Sequence, residues 1–420
     1  MQWIPSFETF DEAYVTCLRS VYDSYEFVNA PRGMPSREQL NVSFLLTAPR
    51  ERVPYLASRK TSIVFNFAHV LWILSGRDDL QFIGYYAPTF HRFSADGRTL
   101  TGSAYGPRIF GPARRGAQSQ WDRVVHVLGR DPDSKRAVIQ IFDPAEPLGA
   151  DNIDVSCTLA LHFFIRGARL HAVCYMRANN AFQGIVGDVF SNTFIQEFLA
   201  TQLGLEMGSY AHHVGSMHLI DADLRRIEKV LDEAADRSAA SPRFRFPSMP
   251  ATTSWNDIRQ VQAHEEALRQ DKERLTPVMI GQSGLAPYWQ QILLLFELHR
   301  EIVHDQTLDR DVYDALLPAF QYLVGHKWRL VQSLSAAANE PLGRSAGVDW
   351  RRWTIILLKP DCVARGLVDE VLNVLGKDVR IVAQRAVTVT EEQIMCHYAD
   401  LLEDPELFAT TSWPSCAECT

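Results

Sequence analysis

The chain has 420 residues, 46% of them hydrophobic and 22% charged, which is ample material for a sizeable buried core and predicts two or three domains. A formal net charge of −8 excludes the basic surface excess of a general nucleic-acid binder, so no nucleic-acid partner is expected, although local basic clusters can hold a small anion. The seven cysteines offer no C-x-x-C pair with a matching partner, so no metal is expected, and "CAEC" near the end reads as a frayed tail. The start "MQWIPSFETFDEAY" lacks the basic-then-apolar pattern of a signal peptide, and no run reaches the roughly 18 apolar residues of a membrane span. A cytoplasmic protein without a membrane partner is therefore expected.

In chain order, "TSIVFNFAHVLWILSG" is apolar enough for a buried helix that ends at Gly76. "RAVIQIFDP" predicts a strand, and "CTLALHFFIRGARLHAVCYM" two strands joined at "RGAR". The apolar spacing of "NTFIQEFLATQLGLEMG" predicts a helix. Charge and proline rise over Asp232–Ser254, which reads as an exposed excursion. From Trp255 to Leu334 the pattern is helical, and "SAAANEPLGRSAGVD" reads as a linker. The last segment opens on the strand-like "WTIILLKPD", continues through the helical "LVDEVLNVLG", and returns to a strand in "VRIVAQRAVTV".

Cys157 stands at a strand start. A buried cysteine is ordinarily a small hydrophobe, but cations lower a thiol's pKa and make it a nucleophile. Arg177 lies at the far end of the paired strand, and Lys135 and Arg136 stand side by side in "DPDSKR". These three cations form a candidate phosphate clamp, since guanidinium groups bind phosphate bidentately. The alternative for Lys135 and Arg136 is a solvated turn. Asp188 admits two roles, a helix N-cap for a helix beginning near Phe190, or a recognition group.

With these residues in place, positions 40–230 resemble the folate-dependent thymidylate synthases and their pyrimidine hydroxymethylase relatives. The family's nucleophilic cysteine, phosphate arginine, base-reading residue and sugar-binding histidine match Cys157, Arg177, Asp188 and His218 without a gap. "DPDSKR", "HVLWILSG" and the turn at Tyr105–Gly106 resemble further family motifs. The resemblance implies an α+β fold, a mixed sheet with packed helices. It also implies 5,10-methylenetetrahydrofolate as co-substrate and a homodimer. In the dimer the basic pair matching Lys135 and Arg136 reaches the partner's nucleotide, while Arg177 and an N-terminal arginine, Arg32 with Arg37 as alternative, act within the subunit. The reaction it implies adds the cysteine to C6 of a pyrimidine, joins C5 to the one-carbon unit, and ends by hydride transfer (methylation) or water addition (hydroxymethylation). Tyr105 is implied near the catalytic group, and Asn180, Gln183, Gly184 and Phe90 on the folate side.

Departures from the family pattern bear on the substrate. An acid, Asp188, stands where thymidylate synthases carry asparagine, which favours cytosine over uracil through N3 and the 4-amino group. Ala178 replaces a serine beside the phosphate arginine and Ile220 a tyrosine near the sugar, leaving room for a 2′-hydroxyl. CMP is therefore expected ahead of dCMP. His69 falls on the family's general acid/base glutamate, and imidazole can relay protons near neutrality. Asn180 replaces the pterin-holding aspartate, Gln183 an apolar residue, and "FHRF" a tryptophan pair, a more polar folate side that suits water addition. The expected activity is a CMP 5-hydroxymethyltransferase, with a dCMP hydroxymethylase, a pyrimidine nucleotide methylase and a non-catalytic nucleotide binder as alternatives.

After Trp350, "WTIILLKPDCVARGLVDEVLNVLG" and "VTVTEEQIMCHYADL" resemble the first half of nucleoside diphosphate kinases, with Lys359 and Tyr398 in its motifs. The family's phosphate-accepting histidine belongs to the second half, so this small, truncated ferredoxin-like segment is expected to be structural or nucleotide-contacting. The expected organisation is a synthase-like domain over residues 1–335, with its core at about 30–230 and a helical extension at about 255–335. A linker over 336–349 and the kinase-like segment over 350–420 complete it.

Overall fold

Seven extended segments build a single mixed sheet, seen in a computed structural model that describes residues 4–111, 118–146, 152–237, 244–305, 307–328, 331, 365 and 367–375. Its strands are β1 (Ser6–Phe7), β2 (Phe27–Asn29), β3 (Ser36–Leu46), β4 (Val138–Gln140), β5 (Thr158–Arg166), β6 (Arg169–Asn180) and β7 (Glu206–Ile220). The order is β1-β3-β7-β6-β5-β4, with β2 added on β3. β1 on β3 and β6 on β7 run parallel, and the other pairs are antiparallel. β5 and β6 meet at Gly167 and Ala168, both at positive φ (+56° and +58°), so the turn lies within the "RGAR" of the sequence.

The two faces differ in register. Phe44, His212, Cys174, Leu161 and Ile139 align across five strands and are all buried. On the opposite face Ser43, His213, Tyr175 and Ala160 form one row, and Ala211, Val173, His162 and Val138 the next. Tyr175 is 40% exposed there and Val138 42%, so this face remains partly open.

The buried face carries helices α1 (Phe10–Asp23) and α6 (Gly184–Gln202), and α2 (Ile63–Leu74) packs on α6. Ser62 caps α2 by accepting from Phe65 N at 3.2 Å, and Gly76 at φ +65° ends the segment as expected. Eleven of its twelve residues are buried, so this helix is a core element on all sides. α6 differs from the expectation, beginning at Gly184 with Gln183 at its N-cap. Asp188 therefore lies inside the helix and is not its cap. Gly204 at φ +67° stops the chain after α6, and "EMG", expected in the helix, opens β7.

Helices α3 (Leu80–Tyr86) and α4 (Gly106–Phe110) pack on α2, α5 (Gln120–Arg130) packs on α4 and β4, and α7 (Leu224–Ala235) follows β7. The helical extension comprises α8 (Trp255–Arg269), α9 (Pro277–Gly281), α10 (Pro287–Arg300), α11 (Arg310–Asp314) and α12 (Pro318–Lys327), with α10 packed on α2 and α8. The excursion before it is not simply exposed. Phe246 and Met249 are buried, and their amides donate to Glu51 Oε2 and Glu197 Oε1, each at 3.0 Å. Glu197 is in turn ion-paired with the buried Arg52, whose guanidinium lies 5.3 Å from the Phe246 ring centre. A buried charge pair needs such partners to offset its desolvation.

The chain divides into two compact units, Met1–Leu342 and Gly343–Thr420. In the second, a helix α13 (Val368–Leu375) forms within the expected "LVDEVLNVLG", while "WTIILLKPD", "VRIVAQRAVTV", Lys359, Tyr398 and "CAEC" lie outside the described residues. No helix among the described residues is long and apolar enough to cross a membrane.

Candidate active site

Cys157 sits just before β5, and Arg177 three-quarters of the way along the neighbouring β6. The pairing of these antiparallel strands brings them together: Arg177 N donates to Cys157 O at 2.9 Å. The guanidinium folds back over the loop, with Nε on Ser156 O at 2.8 Å, Nη2 on Val155 O at 2.9 Å, and Nη2 at 3.7 Å from Cys157 Sγ. The thiol is nonetheless not activated in this state. Burial pushes its pKa up, against the pull of Arg177 and Arg32, and Asp188 and Asp154 add to the rise. The expected cation effect is real but smaller than desolvation.

The loop preceding the thiol is held from below. Asp154 accepts from Gly102 N at 2.8 Å and from Ser103 N at 3.0 Å. Arg108 Nη1 donates to Ser156 Oγ at 2.6 Å, while Glu146 Oε2 accepts from Ser156 N at 2.9 Å. Arg108, Glu146 and Asp154 carry no signal that composition or spacing singles out, because their role exists only once the loop is folded onto α4. Tyr105, at the start of α4, places its hydroxyl 3.2 Å from Thr158 Oγ1. Burial raises its pKa strongly, with the Asp188 and Cys157 charges acting in the same direction.

Asp188 approaches from α6. Its side chain is half-buried, and burial raises its pKa to about 7, with nearby Asn179 opposing the shift. Near neutrality it is therefore half neutral acid and half carboxylate, able to donate as well as accept. Gly184, one helical turn earlier, permits this approach: a Cβ there would lie 2.9 Å from Asn179 Oδ1 and 3.6 Å from Asp188 Oδ2.

His69 on α2 is 8% exposed, and its Nδ1 lies 3.0 Å from Ser191 Oγ on α6. It stacks on Phe65 at 5.5 Å, with Trp72 at 6.1 Å and Phe90 at 6.3 Å. Burial lowers its pKa to about 4, so at neutral pH it is an uncharged imidazole. Phe90 also contacts Phe65 and Phe93, giving this side an aromatic wall.

The sugar and phosphate candidates line up on the sheet. His218 on β7 pairs in register with Asn180 on β6 and Glu38 on β3, and Ala178 pairs with Ser216. Burial lowers the His218 pKa, while Glu38 opposes that shift and Arg177 adds to it. Ser216 Oγ donates to Glu38, whose other oxygen accepts from Asn29 at 2.9 Å. Ile220 pairs with Ser36. Arg32 is exposed in a tight turn at φ 55° and lies close enough to act on Cys157. Arg37 is engaged with Asp221 at 3.6 Å and with the Tyr25 ring at 5.1 Å. Lys135 and Arg136 are not gathered with these groups: both are exposed beside β4, with Arg136 3.8 Å from Asp131 and Lys135 O bonded to His162 at 2.9 Å.

Of the residues expected near the co-substrate, Asn180 Oδ1 accepts from Phe182 N at 2.9 Å and Gln183 N at 2.7 Å, so this oxygen shapes the turn into α6. Gln183 Nε2 donates to Asp223 at 2.8 Å. Arg59 and Arg226 each lie 4.9 Å from the Phe182 ring centre. An aromatic wall at Phe90 and a cationic rim at Arg59 and Arg226 fit an aromatic, anionic co-substrate.

Residues 12–268, more than half of the chain, match the family model described as "Thymidylate synthase", and the chain belongs to that family. Residues 352–412 match the model described as "Nucleoside diphosphate kinase". Among curated proteins, the chain is 32% identical over 201 residues to the deoxyuridylate hydroxymethyltransferase of Bacillus phage SP01, covering 46% of this chain and 52% of that protein. The proteins of the same name from Delftia phage PhiW-14 and Pseudomonas phage M6 are 30% identical over 204 residues and 27% over 197, each covering 46% of this chain and 55% of theirs. The chain thus spans about half the length of the curated relatives it matches. Among solved structures, thermostable thymidylate synthase A from Bacillus subtilis aligns with a TM-score of 0.46 and 18% identity, over 55% of this chain and 85% of that one.

Proposed function

We propose that this chain is a folate-dependent pyrimidine nucleotide hydroxymethyltransferase acting on a cytosine nucleotide, CMP ahead of dCMP. The observation that carries the base assignment is the half-buried Asp188 carboxyl on α6, placed so that its charge acts on Cys157 and Tyr105, with its pKa raised to about 7 by burial. Such a group can donate to N3 of cytosine while accepting from its 4-amino hydrogens, and a mispaired buried polar group costs roughly 1–3 kcal/mol.

In this reading Arg177 and Arg32 hold the 5′-phosphate, His218 the ribose, and Ala178 with Ile220 leaves space for a 2′-hydroxyl. The Cys157 thiol gives up its proton and its sulfur adds to C6, which turns C5 into a carbanion. 5,10-Methylenetetrahydrofolate supplies the one-carbon unit that C5 attacks. A base takes the C5 hydrogen as tetrahydrofolate leaves, which gives the exocyclic methylene; water then adds its oxygen to that methylene, and Cys157 is expelled with restoration of the C5–C6 double bond. Neutral His69 and the Tyr105 hydroxyl are the proton-relaying groups nearest this chemistry. Phe90, Asn180, Gln183 and Gly184 shape the folate side. The open sheet face, with its Tyr175 and Val138 rows, suits a second copy of the chain, whose Lys135 and Arg136 would approach the first copy's nucleotide.

The names of the phage relatives favour a second reading, a uracil deoxynucleotide as substrate. Competition of CMP, dCMP, UMP and dUMP, each tritiated at C5, with methylenetetrahydrofolate separates the two. Tritium release led by CMP and a product heavier by one CH2O unit support the first reading. Release led by dUMP transfers the assignment to the second, and tight nucleotide binding without release from any of the four would make the chain a non-catalytic binder.

A further inference from the structure

The turn that carries Lys135 and Arg136 is held from one face of β5. Strand alternation sets His162, Phe164 and Arg166 on the open face, opposite the buried Leu161 and Phe163. Carbonyl oxygens of the turn lie along these three side chains. His162 Nε2 is 2.9 Å from Lys135 O, and Arg166 reaches Asp133 O with Nη2 at 3.2 Å and Pro132 O with Nη1 at 3.4 Å. A carbonyl only accepts, so Nε2 of His162 carries the hydrogen. Phe164 stands between the two donors, its ring centre 4.0 Å from that of His162 and 5.6 Å from the Arg166 guanidinium carbon.

The turn also closes on itself. Ser134 is 4% exposed; its N donates to Asp131 O at 3.0 Å, and its Oγ accepts from Arg136 N at 3.3 Å. Ala137 O accepts from Phe163 N at 2.9 Å, and the chain enters β4 with Val138 opposite His162. From Pro132 to Ala137, each residue therefore has a backbone group bonded within the turn or to β5.

The two cationic side chains are left free by comparison. Lys135 and Arg136 are both exposed, and the Arg136 side chain is 78% exposed with the Asp131 carboxylate 3.8 Å away. An exposed turn ordinarily gives its carbonyls to water, and fixing an arginine on two of them costs side-chain entropy. A fixed backbone beneath free cationic tips suits contact with an anion outside the subunit, because less ordering is left to the moment of binding.

We infer that His162 and Arg166 are positioning residues for phosphate recognition. By holding the carbonyls of Pro132, Asp133 and Lys135, they aim Lys135 and Arg136 at the nucleotide phosphate bound by a second copy of the chain. This rests on the reading in which that basic pair approaches the other copy's nucleotide. His162 and Arg166 act only through the turn.

The test measures affinities of the full chain for CMP and for cytidine, which lacks the phosphate, by calorimetry. Replacing the basic pair, Lys135→Ala with Arg136→Ala, should lower the ratio of CMP to cytidine affinity. His162→Leu removes the donor to Lys135 O and should lower the same ratio by about tenfold, with cytidine binding unchanged. His162→Gln keeps a donor near the place of Nε2 and should retain most of the ratio, which a merely structural role would not predict. Added to the replaced basic pair, His162→Leu should cost nothing further, since it acts through that pair. Should His162→Leu fail to fold, Arg166→Lys, which keeps the charge but loses the fork on two carbonyls, supplies the same comparison. A ratio lowered by replacing the basic pair but at its wild-type value in His162→Leu, or in Arg166→Lys in its place, overturns the inference and leaves the role of the pair standing. Equal losses in His162→Leu and His162→Gln also overturn it, because the effect then comes from packing on Phe164. A ratio unchanged when the basic pair is replaced overturns both.

Discussion

Arg177 Nη2 stands 3.7 Å from Cys157 Sγ, yet the thiol is harder to ionise than a free cysteine. Burial outweighs one cation that is already shared with two carbonyl oxygens. In the free protein, alkylation of Cys157 by iodoacetamide should therefore be slow at neutral pH and still be accelerating above pH about 8.5, the ordinary thiol value. Peptide mapping by mass spectrometry across a pH series checks this. A plateau reached below that value would show a thiolate already formed at neutrality.

Asp188 also affects stability. Its folded pKa of about 7 lies above the ordinary value of 3.8, so the folded state holds a proton that the unfolded state releases. The stability linked to this proton is fully present below the unfolded pKa and is lost as pH rises through about 7. Asp188→Asn removes this dependence. The melting temperature of the variant minus that of the wild type should grow as pH rises from about 4 to about 7 and then level off. Scanning calorimetry of both proteins checks the sign, and a difference that shrinks with pH would contradict the burial.

His69 presents the converse case, a base kept neutral. Its folded pKa of about 4 lies below the free value of 6.5, so its contribution is present above the free value and is lost as pH falls toward 4. His69→Phe, which keeps the stack on Phe65, should flatten that acid-side loss. If imidazole relays protons, turnover falls by about a hundredfold while CMP affinity stays unchanged. Ser191→Ala, which removes the partner at 3.0 Å, should cost about 1 kcal/mol. Turnover equal to wild type in His69→Phe would leave this histidine as packing alone.

Gly184→Ala reverses an ordinary rule. Alanine is normally better than glycine in a helix by about 1 kcal/mol. Here its Cβ would meet Asn179 Oδ1 at 2.9 Å, next to the Asp188 carboxyl. We expect a destabilisation of about 1–3 kcal/mol, read by denaturant unfolding, together with weakened base discrimination.

The open sheet face predicts an association that a single charge should disrupt. Tyr175→Arg, in the middle of the row with His213 and Ala160, should shift sedimentation of the chain toward the monomer without lowering its melting temperature by more than a few degrees. A sedimentation coefficient that does not change with concentration in the wild type would remove the dimer from the proposal.

Much of this molecule was legible in its residues. The α2 helix with its glycine stop, the β5–β6 hairpin, and the helical character of residues beyond Trp255 follow from local periodicity and turn chemistry, which act over a few residues. The cysteine, arginine, acid and histidine of the candidate site could be named because their types and spacing are properties of the chain. Where local signals competed, the sequence misled. Asp188 has the chemistry of an N-cap, but the helix starts at Gly184 because burying the whole of α6 against the sheet outweighs one capping bond. Phe246 and Met249 lie in a stretch rich in proline and charge, yet they are buried by contacts with Glu51, Arg52 and Glu197, residues far away in the chain.

Electrostatics belonged to tertiary structure almost entirely. Sequence places cations near Cys157 but cannot weigh them against desolvation, which depends on how much protein surrounds the sulfur. The same holds for the neutral state of His69 and the near-neutral titration of Asp188. The amino-acid sequence by itself determined the family, the order of the elements and the identity of the reactive groups, because these reside in residue type and spacing. Only the folded chain decided which groups are buried, which hydrogen bonds orient them and therefore which protons they hold, because solvent exclusion is a property of packing and not of any one residue.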